Sequence, residues 1–197
     1  MHGKRSVLVL ASMLLLAAIL AAPIAATTLI RAGLEELVAS NETIVMGEVL
    51  DIYSYWNDDA NFILTDVRIR PFETVKGFTP KSDLTVTLMG GTVGDTTTLI
   101  LGSPELEIGK PYVLFLNRET LPGAEQVITV RDHCQGVFNL IDDGKGLKAV
   151  SQANEFALLP DAKGFYKAAG DIDGFRLDDM FQSIRDFVAL QGSAPRR

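Results

Sequence analysis

Across residues 43–150, runs of β-branched and aromatic residues alternate with clusters of Gly, Pro, Asn and Asp, and this punctuation constrains the fold more than any other feature. The first run is Thr43–Trp56, and Asn57-Asp58-Asp59-Ala60-Asn61 separates it from a second, residues 62–75. Two such runs joined by one short polar loop make a long β-hairpin. Within the second run Ile63, Thr65, Val67 and Ile69 alternate with Leu64, Asp66, Arg68 and Arg70, which buries one face and leaves the other charged. Pro71 has no N–H to give to a ladder, so the strand there is at an edge, bulged or bent. Turn chemistry then marks a strand carrying Leu84, Val86 and Leu88, and further strands over 97–101, 112–116, 126–130, 136–141 and 147–150. Six to eight strands at this spacing favour an antiparallel arrangement over a parallel sheet, which requires intervening helices. The chain is expected to be mainly β, as a small antiparallel β-barrel or a sandwich, and the barrel is preferred.

Two helical patterns flank these strands. Ile30, Leu34, Leu37 and Val38 recur at helical spacing around Glu35 and Glu36, with Ser40-Asn41 as an exit. After a loop-rich stretch from residue 151, Leu177, Met180, Phe181, Ile184, Phe187 and Val188 form an apolar stripe. Asp178 and Asp179 sit in the first turn of this helix, where they complement its dipole, and Gly192 supplies a stop. The domain plan is therefore a β-barrel unit with an N-terminal helix over 27–150, a loop-rich segment and amphipathic helix over 151–192, and a flexible tail over 193–197.

Residues 1–26 read as a secretory signal peptide: Lys4 and Arg5 precede an uncharged run that ends near Pro23 and Ala25-Ala26. The apolar run exceeds the ~7–15 residues of an ordinary signal core and no Ala-x-Ala triplet precedes Thr27, so an uncleaved membrane anchor is the alternative. Cleavage after Ala26 leaves 171 of the 197 residues and removes Lys4 and Arg5 as the only charges, taking the net charge from −7 to −9. The expectation is a soluble, acidic protein, secreted or periplasmic, that meets a membrane only if its first segment is retained. Nucleic acid is not an expected partner, because an acidic chain offers no basic stripe for phosphates. A single cysteine, Cys134, excludes an intrachain disulfide and multi-cysteine zinc sites, and with His2 and His133 as the only histidines no cofactor or His-rich metal centre is expected.

Taken in order, the motifs Ile44-Val45-x-Gly47-x-Val49, Thr65-x-Val67, Val75-Lys76-Gly77, Gly90-Gly91, Gly109 with Tyr112-Val113-Leu114-Phe115-Leu116, and Gln135-Gly136-x-Phe138 resemble a set of uncharacterised exported bacterial proteins. The same order is similar to netrin-like modules, which share an OB-type barrel with tissue inhibitors of metalloproteinases. The resemblance implies an OB/netrin-like barrel and a binding role. It does not extend to metal-chelating protease inhibition, because those inhibitors use a disulfide-bonded N-terminal cysteine and this chain has no cysteine before Cys134.

Candidate chemistry is sparse. Asp132-His133-Cys134 sets an acid, a base and a nucleophile side by side, but on an extended strand neighbouring side chains leave by opposite faces, so His133 is not placed to activate Cys134. Asp171 and Asp173, with Asp178 and Asp179 behind them, offer hard oxygen ligands for calcium, yet the twelve-residue EF-hand pattern is missing and an acidic helix start explains them as well. Tyr53, Tyr55 and Trp56 near the first hairpin tip are suited to stacking on a ligand, and Tyr55 and Trp56 are the binding candidates. The favoured reading is an exported, non-enzymatic binding module for another secreted or envelope protein. The alternative is a secreted hydrolase or metal-dependent enzyme using His133 and acidic residues.

Overall fold

The computed structural model describes residues 32–78, 82–131, 133–155 and 174–193. The segment read as a signal peptide, Asp171 and Asp173, and the last four residues lie outside them. A short helix α1 (Leu34–Ser40) is followed by strands β1 (Thr43–Trp56), β2 (Ile63–Lys76), β3 (Leu84–Met89), β4 (Gly91–Val93), β5 (Thr96–Thr98), β6 (Pro111–Leu121), β7 (Ala124–Thr129), β8 (Val137–Asp142), β9 (Leu147–Ser151) and β10 (Phe175–Arg176), and by helix α2 (Leu177–Ser193).

β1 and β2 form the long antiparallel hairpin expected from their alternation. The register between them slips three times, leaving Val75, Phe72 and Leu50 as extra residues. Each bulge adds local bend and twist, so the hairpin coils along its length. Pro71 stands beside one bulge and beyond the reach of β3, which pairs only with Leu64 to Ile69 of β2, so its missing N–H breaks no ladder on that side. Gly47 lies opposite Pro71, and a Cβ there would sit 2.6 Å from the Arg70 carbonyl oxygen, closer than two backbones at a bulge allow for any other residue.

β6 is the hub. Its first half pairs with β1 on one edge and with β8 on the other, and its second half pairs with β7. The sheet runs β10-β9-β8-β6-β1-β2-β3, with β7 attached to β6 off this path. It is antiparallel and strongly curled, but it is not closed into a barrel. β3 and β7 approach within 8 Å between Cα atoms without forming a ladder. Leu84, Val86 and Leu88 of β3 instead meet Val130 and the concave side of β6 through side chains.

Two apolar layers result. Tyr112, Leu114 and Leu116 of β6 point into the concave core with Val45, Val49, Val67 and Ile69, while Val113 and Phe115 point to the convex side. Burial on both faces explains why 112–116 is an unbroken apolar run. On the convex side α1 and α2 pack through Leu37, Val38, Met180, Phe181 and Ile184 against Phe115, Phe138 and Ala149. Phe187 is only half-buried, and α2 continues through Gly192 to Ser193 rather than stopping there. Lys76, from the Val-Lys-Gly turn, donates to the carbonyls of Val38 and, at 2.7 Å, of Asn41, so it caps the C-terminal end of α1.

Three local expectations change. The strand expected over 97–101 is a small separate ribbon of β4 and β5 that ends at Thr98, because Ser103 donates back to Ile100 and Gly102 turns the chain with φ of 77°. Residues 133–136 form a single 3₁₀ turn before β8 rather than part of a strand. Leu99 and Leu101, expected on that strand, are 88% and 72% exposed.

Candidate functional site

Beyond the last bulge, β1 alternates cleanly, and its side chains separate into two sets. Ser54 and Trp56 leave on the concave side, where Ser54 Oγ lies 2.8 Å from Thr65 Oγ1. Tyr53 and Tyr55 leave on the convex side, with ring centroids 6.1 Å apart and planes inclined by 13°. Tyr55 and Trp56, named together from the sequence, therefore stand on opposite faces of the same strand and do not form one patch. Trp56 is 39% exposed and Tyr53 67%.

The tyrosine pair is held from β2 and β3. Asp66 lies across the ladder from both Tyr53 and Thr87, and one of its oxygens accepts from the Tyr55 hydroxyl at 3.2 Å and from the Thr87 hydroxyl at 2.7 Å. Leu64, opposite Tyr55, is fully buried, so the Tyr55 ring rests on a packed base. Burial pushes the Tyr55 hydroxyl above its ordinary pKa, and the Asp66 charge and hydrogen bond and the Asp58 charge push it further the same way. Arg68 extends the surface, 3.3 Å from Asp83 and 4.0 Å from Asp51. An aromatic pair of one exposed ring, Tyr53, beside a half-buried one, Tyr55, fixed by Asp66 and flanked by mixed charges, is a surface that can bury area with little side-chain entropy to lose.

A second concavity lies where the connection from β5 to β6 crosses the ends of β6, β8 and β9. It encloses about 510 Å³ and is lined by Glu105, Glu107, Lys110, Pro111, Tyr112, Asn139, Leu140, Ile141 and Gln152, with Ser103 at the rim. Its floor is built by Gln152, which accepts from Glu105 N at 3.0 Å and donates to Glu105 O at 2.6 Å and to Asn139 Oδ1 at 2.9 Å. Tyr112 is 3% exposed, and its hydroxyl accepts from Glu107 N at 3.0 Å. Burial raises the Tyr112 pKa, so the hydroxyl keeps its proton through the neutral range. At the rim Lys110 Nζ lies 2.7 Å from Glu107 Oε1.

The histidine–cysteine pair occupies the 3₁₀ turn. Cys134 is fully buried and its N–H donates to the Gly102 carbonyl, while His133 sits at φ of 51° and is only partly buried. His133 lines a 220 Å³ hollow with Glu119 and Arg131, but Glu119 is engaged by Arg131 at 3.2 Å. Asp132 is outside the described residues, as are Asp171 and Asp173. Among the described residues no three His, Cys, Asp or Glu side chains are grouped to hold a metal ion, and no helix is long and apolar enough to cross a membrane.

The chain matches no protein-family profile, and no curated protein is significantly similar to it.

Proposed function

We propose that this protein is an exported, non-enzymatic binding module of OB/netrin-like type that recognises another secreted or envelope protein through the convex tip of its β1–β2–β3 sheet. The observation that carries the reading is the Tyr53–Tyr55 pair, presented on three hydrogen-bonded strands and fixed by Asp66. Exposed tyrosines backed by rigid sheet are frequent anchors of protein interfaces, and the surrounding Asp51, Arg68 and Asp83 suit a polar rim. The convex layer formed with α1 and α2 lies toward the other end of this hairpin, on Ile44, Met46 and Val75.

Export enters this reading through the first 26 residues. Intact-mass measurement of the protein recovered outside the cytoplasm should give a chain beginning near Thr27, and retention of Met1 would replace cleavage by an anchor. The binding reading is tested with the mature chain immobilised and exposed to the native extracellular or envelope fraction, followed by titration with the purified partner. Tyr53→Ala should weaken that partner's binding at least tenfold, since anchor truncations cost more than about 1.4 kcal/mol. A partner whose affinity ignores Tyr53 and Tyr55, or no saturable partner at all, would refute it.

A further inference from the structure

The cleft beneath the β5–β6 connection is a second site, separate from the tyrosine face, and its chemistry selects a ligand of a different kind. We infer that it binds a neutral carbohydrate, as a monosaccharide or the end of a short oligosaccharide.

Three observations lead there. The volume of about 510 Å³ falls in the ~300–1,000 Å³ range that holds a small organic molecule. The polar groups of the floor are preset: Gln152 fixes Asn139 through its Oδ1, so the Asn139 amide hydrogens face no partner among the described residues. Tyr112 in turn accepts from the backbone of Glu107, which leaves its own hydroxyl proton to donate. The floor thus offers donors from two nearly immobile side chains, and the rim offers the carboxylate of Glu105 as an acceptor. Hydroxyl groups that each donate and accept match this mixture, and each missing partner would leave a desolvated polar group behind.

Charge narrows the class further. Lys110 is already paired with Glu107, so the remaining formal charge is negative, and phosphorylated or carboxylated ligands are disfavoured. Pro111, Leu140 and Ile141 complete the lining with an apolar surface, which suits the C–H face of a pyranose.

The test uses the full mature chain, isotopically labelled, titrated with maltose, cellobiose and N,N′-diacetylchitobiose, and with glucose 6-phosphate and glucuronate as charged controls. At least one neutral disaccharide should saturate and shift the backbone resonances of Tyr112, Asn139 and Gln152, with the charged controls at least tenfold weaker. Asn139→Ala should weaken that binding about tenfold, as should Tyr112→Phe, each deleting a donor while keeping most of the packing. If Tyr112→Phe disturbs the fold, Asn139→Ala and the shift map on the unaltered chain decide. Tyr53→Ala should leave sugar binding unchanged while it weakens the protein partner, so the two sites fail separately. No saturable shift with any neutral sugar, shifts that map elsewhere, stronger binding of a charged control, or binding that ignores Asn139 would overturn the inference.

Discussion

Replacing Asn57 with Ala tests how the curled sheet is held where no ladder closes it. Asn57 is 4% exposed at the end of β1, and its side chain bonds in both directions. Its Oδ1 accepts from the N–H groups of Asn61 and Phe62, both at 3.0 Å, and its Nδ2 donates to Asn61 Oδ1 at 3.0 Å and to the Pro122 carbonyl at 3.2 Å. The first two bonds order the hairpin loop, and the last ties it to the β6–β7 turn across the open side of the sheet. Gly123 faces this knot with φ of 71°, and a Cβ on it would come 2.7 Å from Asn57 Nδ2, so the turn is built around that amide. A net hydrogen bond contributes about 0.5–1.5 kcal/mol, and a buried group left unsatisfied costs about 1–3 kcal/mol. Because the loop itself is partly exposed, water rescues some of the orphaned groups, and the expected loss is about 2–4 kcal/mol. At roughly 2–4 °C per kcal/mol for a chain of this size, Tm should fall by about 4–16 °C in calorimetry. Asn57→Asp keeps the acceptor but turns a carboxylate oxygen toward the Asn61 Oδ1 and Pro122 carbonyl oxygens in a buried site, so at neutral pH it should lose at least as much as Asn57→Ala. A loss under about 1 kcal/mol for Asn57→Ala, measured by urea unfolding with an unchanged m-value, would show that the knot does not hold the sheet together.

Further outcomes follow from the same contacts. Phe181→Ala should destabilise by about 3–5 kcal/mol in urea unfolding, because the ring is 4% exposed between α2 and the convex sheet. Tyr55 has a folded pKa above the ordinary 10.0, so its contribution is fully present below pH 10 and is lost as the pH rises through the folded value; tyrosinate absorbance should show a late-titrating ring, shifted only part of the way back by Asp66→Asn because burial is the larger cause. Asp143 is held below its ordinary pKa by the Lys145 N–H, and further by Arg176 and Lys148, so its contribution is present above about pH 3.8 and lost as the pH falls through the folded value. The acid-unfolding curves of wild type and Asp143→Asn should accordingly converge at low pH. His133→Ala and Cys134→Ala, made separately, should leave partner binding, or any activity assayed, within about threefold, whereas a hundredfold loss from either with the fold intact would overturn the binding-module reading.

The parts of the fold legible in the sequence are those set by local alternation. β1 and β2 are fourteen-residue runs rich in β-branched and aromatic residues, with clean alternation over Ile63–Arg70, and a polar loop with two asparagines joins them, so their extent and pairing follow from the chain. α2 is legible for the same reason, through apolar residues at helical spacing. The edges were not legible. Whether β3 pairs with β7 depends on how far three bulges turn the hairpin, and Leu50, Phe72 and Val75 look like ordinary strand residues until their partners are known. The turn at His133 is not legible because the residue that takes φ of 51° is a histidine, and the turn's one glycine, Gly136, stands at its end. The premise that His133 and Cys134 lie on a strand accordingly fails, and their separation is instead that of a half-exposed side chain beside a fully buried one.

The two surfaces differ in how they could be read at all. Tyr53 and Tyr55 are two residues apart on one strand, so period-two geometry already places them together, and the same rule separates Trp56 from Tyr55. The cleft has no such signature. Its groups come from the β5–β6 connection, the start of β6, the middle of β8 and the turn after β9, and each has a plain local explanation: Glu107 and Lys110 as an i,i+3 pair, Tyr112 as a core aromatic, Asn139 as a strand residue, Gln152 as a turn. What unites them is the cross-strand pairing of Tyr112 with Asn139 and the three bonds of Gln152, both products of long-range register. Gln152 is also the residue on which the two descriptions diverge most sharply. In sequence it is one polar residue at the start of a loop-rich stretch; in the fold it is 6% exposed and sets the orientation of Asn139 while fastening the β5–β6 connection at Glu105. Its removal should therefore loosen one wall and the floor of the cleft together while the distant tyrosine face keeps its geometry.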